Sequence, residues 1–299
     1  LTFLFLYNIC TGVFTALGDS RTPLYFLIAS SLANIVMDVV FVVCFHMGVG
    51  GVAWATFLCQ GVASVLAAWT LFRRLRGVPA PERHPLFSWR MLGRIARIAV
   101  PSILQQSFIS VGNLFIQSLV NSFGSAVVAG YSAAVKLNTF ALTGFTTLGN
   151  GLSSFTAQNI GAGRPERVKQ GFRAGAGMTL CVAVPFIAAF VFAGPQMVRL
   201  FLSAPSADAL AQGTLFLNIV APFYVLISLK LAADGVLRGA GCMGQFMTAT
   251  FTDLILRVIL AFLLAPRFGA AGIWMSWPLG WAVAAALSLG FYFTGGWRK

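Results

Sequence analysis

The feature that most constrains this chain is a succession of apolar stretches, each long enough to cross a lipid bilayer. Apolar residue types make up 58% of the sequence and charged types only 9%, whereas an average soluble domain is about 25% charged. About 20 apolar residues span the hydrocarbon core as a helix, and short breaks rich in Gly, Pro and charge separate these stretches. The sequence therefore predicts an all-α polytopic membrane protein.

The apolar stretches and the turn residues between them predict nine transmembrane helices. Their expected bounds are 1–16, 24–46, 51–73, 95–121, 126–157, 172–193, 210–236, 245–265 and 271–292. The longest polar connector follows the third helix, so we divide the chain into residues 1–74, a connector at 75–94, and residues 95–299.

The basic residues predict the orientation of these helices. The connector is rich in Arg, which places it in the cytoplasm by the positive-inside rule. Seven Arg residues lie in or directly beside the connector, from Arg73 to Arg97. Alternation along the chain then puts Arg21, the loop at 163–173, Arg238 and the C-terminal tail on the same side as these seven, so that 15 of the 20 basic residues are cytoplasmic. We expect an inner-membrane location with a cytoplasmic C-terminus, and no nucleic-acid partner, because the positive charge (+13 net) flanks membrane helices.

An internal repeat relates the two ends of the chain. Residues 12–18 (GVFTALG) resemble 235–241 (GVLRGAG), and the turn at 48–51 (GVGG) resembles 269–272 (GAAG), with a two-residue gap between the copies. Six predicted helices separate the copies, and this even number keeps their orientation, as in parallel transporter repeats. The second copy has six helices and the first has three, so we expect a protein of six plus six helices whose first three precede Leu1.

A polar group on the second and third helices is the main candidate site. Asp38 lies within an apolar helix, where a carboxylate costs about 2.5–3.5 kcal/mol and usually faces a partner or a wet cavity. Asn34 lies one turn earlier on the same face, and Thr56 is on the next helix. Together they offer carboxylate, amide and hydroxyl oxygens to a cation. The alternative is that Asp38 only caps or hydrogen-bonds a neighbouring helix end.

Five further charged residues lie inside the predicted helices of the second half. Lys230 and Asp234, like Asp253 and Arg257, are spaced i, i+4, so each couple is expected to form a structural ion pair. Lys136 has no local partner. It would snorkel to the membrane surface, meet an acid on another helix, or face an anionic ligand in a cavity.

Enzyme chemistry is not indicated. The sequence has no nucleophile–base pattern, no phosphate-binding loop and no metal-ligand spacing around His46 or His84. We therefore predict no catalytic residues, no metal site and no cofactor. An ATP-driven pump would need a soluble nucleotide domain, so any transport is expected to use an ion gradient.

Several motifs together resemble a transporter family. They are LGDSRTP at 17–23, NIVMD at 34–38, GVGGVAWAT at 48–56, AVPS at 99–102, QNIGAG at 158–163 and GVLRG at 235–239. In this order the chain resembles, over all 299 residues, a multidrug and toxic compound extrusion (MATE) transporter of the DinF-related branch. The resemblance implies two six-helix lobes around a central cavity. It also implies export of amphipathic, cationic drugs or toxic compounds in exchange for H⁺ or Na⁺.

The resemblance also implies particular site residues. The family's coupling-ion cluster in the first lobe matches Asn34, Asp38 and Thr56. The cluster's other carboxylate lies on a first helix outside this chain. A coupling Glu and Asp found in the second lobe of some relatives fall near Gln105, Gln106 and Ile227, so the resemblance assigns no such role to Asp234.

A flippase for lipid-linked oligosaccharides or lipids, from a related fold, is the alternative function. Such a cavity would need several cations, and only Lys136, Lys230 and Arg257 are available within the predicted helices. Under either function we expect a monomer in a lipid bilayer that handles small-molecule substrates.

The repeat leads to a first prediction. Because the first lobe would lack three helices and its first-helix carboxylate, the 299-residue chain expressed alone should export little or no dye. Fluorescent-dye efflux from cells measures this, and efflux above that of empty-vector cells would contradict the expectation.

Overall fold

The computed structural model describes residues 1–77, 87–202 and 206–298. Within these ranges the secondary structure is helical and contains no strand. Contacts between Cα atoms divide the chain into two compact units, Leu1–Phe87 and Ser88–Lys299. The prediction of an all-α protein is confirmed for the described residues.

Unit 1 consists of three helices. They are α1 (Thr2–Ala16), α2 (Arg21–Val39) and α3 (Gly48–Leu75), with a π-helical segment at Val40–Cys44 directly after α2. A small buried cluster holds α1 against α3 and contains Cys10, Phe14, Ala67 and Leu71.

The turn between α1 and α2 is organised by Asp19. Its Oδ1 accepts hydrogen bonds from the backbone N–H groups of Arg21 and Thr22, both at 3.1 Å, and its Oδ2 accepts one from the Thr22 hydroxyl at 2.7 Å. The Arg74 guanidinium, at the end of α3, forms an ion pair with the same carboxylate. The hydrogen bonds from Thr22, with a smaller contribution from Arg74, lower the pKa of Asp19 below its ordinary value. Asp19 therefore links the turn between α1 and α2 to the end of α3, and it accepts hydrogen bonds from free N–H groups at the start of α2.

Unit 2 contains the other eight α-helices of the described residues. They are α4 (Trp89–Asn121), α5 (Ser125–Gly161), α6 (Pro165–Phe192), α7 (Gly194–Leu200), α8 (Ala207–Val220), α9 (Tyr224–Gly239), α10 (Met243–Phe268) and α11 (Ala270–Thr294). Aromatic rings fill its core: Tyr131 stacks on Trp274 with ring centroids 4.9 Å apart, and Phe216 meets Trp274 edge-on.

Glycines bring α5 and α9 into close contact. A Cβ atom added at Gly149 would lie 2.8 Å from the Leu231 carbonyl oxygen, and one added at Gly235 would collide with the Gly149 backbone. Small residues of this kind let membrane helices approach closely. The approach fixes the face of α9 that carries Lys230 and Asp234.

The structure corrects several predicted helix bounds. The predicted helix at 210–236 is interrupted by a 3₁₀ segment at Ala221–Phe223, because Pro222 has no N–H to continue the α-helical pattern. The short helix α7 was not predicted. Helix α4 begins at Trp89 instead of 95, with the Ser88 hydroxyl accepting a hydrogen bond from the Met91 N–H, so residues 89–94 of the predicted connector are helical.

The predicted number of nine transmembrane helices is not confirmed. Among the described residues, seven stretches are long and apolar enough to cross a membrane. Helix α1, with 15 residues, is shorter than such a span, and α5, with 37 residues, is not among the seven.

The internal repeat has the same backbone geometry in both copies. Gly18 and Gly241 have φ values of +81° and +76°, and Gly48 and Gly269 have +55° and +61°. Equivalent N–H groups donate to equivalent carbonyl groups around the first turn of each copy. In the first copy Gly18 N–H bonds the Thr15 carbonyl and Asp19 N–H bonds the Phe14 carbonyl. In the second copy Gly241 N–H bonds the Arg238 carbonyl and Cys242 N–H bonds the Leu237 carbonyl. These αL turns end the preceding helix. The repeated motifs therefore mark equivalent turns in the two units.

The π-helical segment accounts for the two-residue gap in the repeat. The Phe45 N–H bonds the Val40 carbonyl and the Met47 N–H bonds the Phe41 carbonyl, instead of carbonyls four residues back. The equivalent helix α10 is α-helical throughout Met243–Phe268. The extra residues of the first copy thus lie after Asp38. A residue of the first copy that precedes these extra residues is equivalent to the residue 223 positions later in the second copy. A residue that follows them is equivalent to the residue 221 positions later.

Gly51 provides a test of the contact between the start of α3 and the π-helical segment that follows α2. A Cβ atom at this position would lie 2.9 Å from the Phe41 Cβ and 3.0 Å from the Met47 Cβ, whereas nothing lies within 4 Å of one at Gly50. Overpacking of this kind typically costs about 1–3 kcal/mol. We expect Gly51→Ala to lower the melting temperature of the purified protein in detergent, and the matched control Gly50→Ala to leave it unchanged. Equal melting temperatures for the two variants would contradict the close contact.

Candidate functional site

Asn34 and Thr56 meet where α2 packs against α3. The Asn34 amide nitrogen lies 3.5 Å from the Thr56 hydroxyl oxygen, a long hydrogen bond. Gly51, five residues before Thr56 on α3, lies close to Phe41 in the π-helical segment that follows α2. The structure therefore joins two of the three residues of the predicted cation cluster.

Asp38 lies on α2 one turn after Asn34 and is half-buried. Its Oδ1 is buried and accepts no hydrogen bond from any group in the described part of the chain. The α-helical pattern ends one residue later, where the π-helical segment begins. π-Helical segments inside helices are frequent at functional sites. A half-buried carboxylate with one buried, unpartnered oxygen beside such a segment is a candidate for binding a proton or a cation.

Unit 2 contains a partly open cavity of about 480 Å³. Helices α4, α5, α9, α10 and α11 form its wall. Its polar lining residues include Gln105, Gln106, Asn113, Gln117, Asn138, Thr139, Thr146, Lys230, Asp234, Arg238, Thr250, Asp253 and Arg257. This volume is sufficient for a small organic molecule.

The predicted pair of Lys230 and Asp234 is present in the cavity wall. The Lys230 Nζ donates a hydrogen bond to Asp234 Oδ2 at 2.7 Å, and the Ser288 hydroxyl donates one to Asp234 Oδ1 at 2.6 Å. Both charged side chains are only 5% exposed. Because each oxygen of the carboxylate has a donor, this buried pair is well satisfied.

The predicted pair of Asp253 and Arg257 lies on α10. The Arg257 guanidinium donates to Asp253 Oδ2 at 2.8 Å, and its carbon lies 4.6 Å from the Trp277 ring centroid on α11. Asp253 Oδ1, Arg257 Nε, Trp277 Nε1 and Thr250 Oγ1 are buried and have no hydrogen-bond partner among the described residues. This part of the wall therefore has unused hydrogen-bonding capacity.

Arg238 is a cavity residue that the sequence analysis assigned to a cytoplasmic loop. It lies in the last turn of α9, donates a hydrogen bond to the Asn150 side chain, and stacks over the Phe246 ring at 5.7 Å. The assignment was wrong about its local structure because α9 continues to Gly239, three residues beyond the predicted end.

Lys136 has an exposed side chain on α5 and is not among the cavity-lining residues. No ion pair joins it to another described residue. Among its three alternatives, the structure favours a lysine that extends along the helix surface.

Two sets of cavity residues were missed. One is a polar stripe on α4 at a spacing of four residues, comprising Gln105, Asn113 and Gln117 with Ile109 between them. This spacing, visible in the sequence, would have indicated a polar helix face. The other is Asn138, whose side-chain oxygen accepts a hydrogen bond from the Tyr224 hydroxyl at 2.9 Å across 86 residues of sequence. No local pattern indicates that contact.

The two units carry different residues at equivalent positions of the repeat. With the offsets above, Asn34 corresponds to Arg257 and Thr56 to Trp277. Each pair is in contact within its own unit. The equivalent of Asp38 is Ala261, which is fully buried. The shared geometry thus supports different chemistry in the two copies.

Comparisons with known proteins identify the family. The MatE family profile matches residues 101–263. The probable multidrug resistance protein YpnP of Bacillus subtilis (strain 168) is 31% identical over 299 residues, which are 100% of this chain and 66% of that protein. DNA damage-inducible protein F of Escherichia coli (strain K12) is 24% identical over 288 residues, covering 94% of this chain and 60% of that protein.

A solved structure supports the fold. It is described as the outward-facing conformation of a multidrug resistance MATE family transporter of the MOP superfamily. The match covers 97% of this chain and 65% of the chain in that structure, at 22% sequence identity and with a TM-score of 0.87. The chain belongs to the MatE family, whose members are transporters and not enzymes, and the resemblance inferred from its motifs is confirmed. It spans slightly less than two thirds of the length of these relatives.

The buried pair of Lys230 and Asp234 provides a test of the cavity wall. Removing one partner of a buried ion pair leaves an uncompensated charge and typically costs about 3–5 kcal/mol. We expect Lys230→Met to lower the melting temperature strongly. The double variant Lys230→Met/Asp234→Asn should recover most of the loss, because the amide oxygen introduced at position 234 would still accept a hydrogen bond from Ser288.

The exposed pair of Glu166 and Lys169 on α6 is the matched control, since its nitrogen and oxygen are also 2.7 Å apart. Lys169→Met should change the melting temperature little, because solvent-exposed pairs contribute little. A double variant as unstable as Lys230→Met alone would contradict the pairing.

Proposed function

We propose that this chain is part of an ion-coupled exporter of amphipathic small molecules that works by alternating access. Membership of the MatE family supports transport. The observation that carries the ion coupling is the buried, unpartnered Oδ1 of Asp38 beside the contact between Asn34 and Thr56. A carboxylate in this position has an unmet requirement that a proton or a cation satisfies.

The three residues have different roles in this proposal. Asp38 binds the coupling ion, H⁺ or Na⁺, in one state of the cycle and releases it in the other. The Asn34 amide oxygen and the Thr56 hydroxyl are neutral ligands that orient a bound cation or a water molecule. Because the Asn34 amide nitrogen already points to Thr56, its carbonyl oxygen is free to face the carboxylate side.

We further propose an inner-membrane protein that functions as a monomer, with the connector at 74–94 and the C-terminus in the cytoplasm. The concentration of basic residues in the loops assigned to one side supports this orientation. A flippase remains the second candidate, because Arg238 adds a cation to the cavity that was not counted from the sequence.

Transport in everted membrane vesicles tests the proposal on the protein at its full length. We expect an amphipathic dye to move under an imposed H⁺ or Na⁺ gradient, and Asp38→Asn to reduce this movement by at least tenfold, because the amide neither ionises nor binds a proton at neutral pH. Asp208→Asn is the matched control, since Asp208 is an exposed carboxylate in the first turn of α8.

The outcomes separate the alternatives. Unchanged transport by a well-folded Asp38→Asn variant would remove that residue from the coupling mechanism. Dye transport by neither version, with both proteins folded, would favour the flippase.

A further inference from the structure

The charges that line the cavity of unit 2 do not balance. Among the described lining residues, Lys230, Arg238 and Arg257 are basic, and Asp234 and Asp253 are acidic. Asp234 is matched by Lys230 at 2.7 Å, and Asp253 by Arg257 at 2.8 Å. The third cation therefore determines the net charge of this wall.

Arg238 is that third cation. Its described hydrogen-bond partner is the neutral side chain of Asn150, and its guanidinium lies over the Phe246 ring. An amide and an aromatic face hold a guanidinium in place without neutralising it. The wall of the cavity thus carries one positive charge in excess.

The comparison of the two repeat copies points to a second group of donors in the cavity wall, at the contact between Arg257 and Trp277. Where unit 1 has Asn34 beside Thr56, unit 2 has Arg257 beside Trp277, and the position of Asp38 is taken by Ala261. The oxygen ligands of the first copy are therefore replaced by a guanidinium and an indole N–H. The charge of Arg257 is balanced by Asp253, so this place contributes unused N–H donors and no net charge.

Unused donors lie at this second place. Arg257 Nε and Trp277 Nε1 are buried, have no hydrogen-bond partner among the described residues, and belong to cavity-lining side chains. Trp277 itself is only 5% exposed. A buried donor without an acceptor is costly, so an acceptor that enters the cavity gains from meeting it.

We propose that the cavity of unit 2 binds the anionic group, a carboxylate or a phosphate, of an amphipathic substrate. Arg238, which lies over Phe246, provides the attraction for this anionic group. Arg257 is 11 residues farther along α10, about 16 Å of helix, so the Arg257 and Trp277 N–H groups are donors to other acceptors on the substrate, and the aromatic wall at Trp277 and Trp281 receives the apolar part. This inference rests on the proposed function and specifies its substrate class, in place of the cationic compounds expected from the family resemblance.

Binding of two dyes that share one ring system tests this inference. The 299-residue chain is purified into phosphatidylcholine nanodiscs and titrated with fluorescein, which is anionic, and with rhodamine 123, which is cationic, by fluorescence anisotropy. We expect fluorescein to bind at least fivefold more tightly. Arg238→Gln should weaken fluorescein about tenfold, the loss of one charge-assisted contact, and should not weaken rhodamine 123.

Arg267→Gln is the matched control, because Arg267 is an exposed arginine near the end of α10 and does not line the cavity. It should leave both affinities unchanged. The dye preference of the unmodified chain is measured independently, so the inference is tested even where Arg238→Gln does not fold.

Each outcome bears on the inference. Equal or tighter binding of rhodamine 123, or no binding of either dye, would overturn it. Displacement of fluorescein by phosphatidylglycerol in the nanodisc would identify a lipid headgroup as the anion, and its persistence would identify a soluble organic anion. Anion binding without transport in vesicles would contradict the proposed export and leave this inference standing.

Discussion

A lipid bilayer provides no water to solvate a charge, so each charge on a membrane helix must find a partner inside the protein or a wet cavity. Two ion pairs of unit 2 satisfy this constraint, Lys230 with Asp234 and Asp253 with Arg257. In each pair the two residues are one helical turn apart, and the Ser288 hydroxyl on α11 also donates a hydrogen bond to Asp234. Glycines at the contact of α5 and α9 hold the charged face of α9 against the cavity. Unit 1 departs from the constraint at Asp38, whose Oδ1 is buried and has no hydrogen-bond partner among the described residues, and the role proposed for Asp38 rests on this departure.

Much of this arrangement is predictable from sequence because it is local. The i, i+4 ion pairs, the two αL turns of the repeat and the shared face of Asn34 and Asp38 depend only on spacing along a helix. Contacts between helices are different. The hydrogen bond between Tyr224 and Asn138 depends on how α5 meets α9, which no periodicity specifies. Arg238 was misplaced for a different reason: the predicted helix ended at 236, whereas α9 ends at Gly239 and the turn that contains Gly241 follows it.

The two copies of the repeat illustrate how a duplicated scaffold acquires two chemistries. The turns and helix contacts are retained, as the matching hydrogen bonds around Gly18 and Gly241 show. The side chains at the equivalent contact have changed from an amide and a hydroxyl to a guanidinium and an indole. A cation coupled to transport and an anionic group on the substrate would then be handled by separate units, each with residues suited to one sign of charge. Competition between ion and substrate for one carboxylate is not required in such a scheme.

The π-helical segment after Asp38 has a mechanical consequence. Its N–H groups bond carbonyls more than four residues back, so the backbone there is wider than in an α-helix. The α-helical hydrogen-bond pattern is therefore broken at Val40–Cys44, whereas α10 is assigned as α-helix over all its 26 residues. A helix bends most readily where its hydrogen-bond ladder is irregular. The stretch formed by α2 and this segment is therefore expected to bend most readily at Val40–Cys44. Its point of least stiffness lies next to the carboxylate whose occupancy is proposed to change during the cycle.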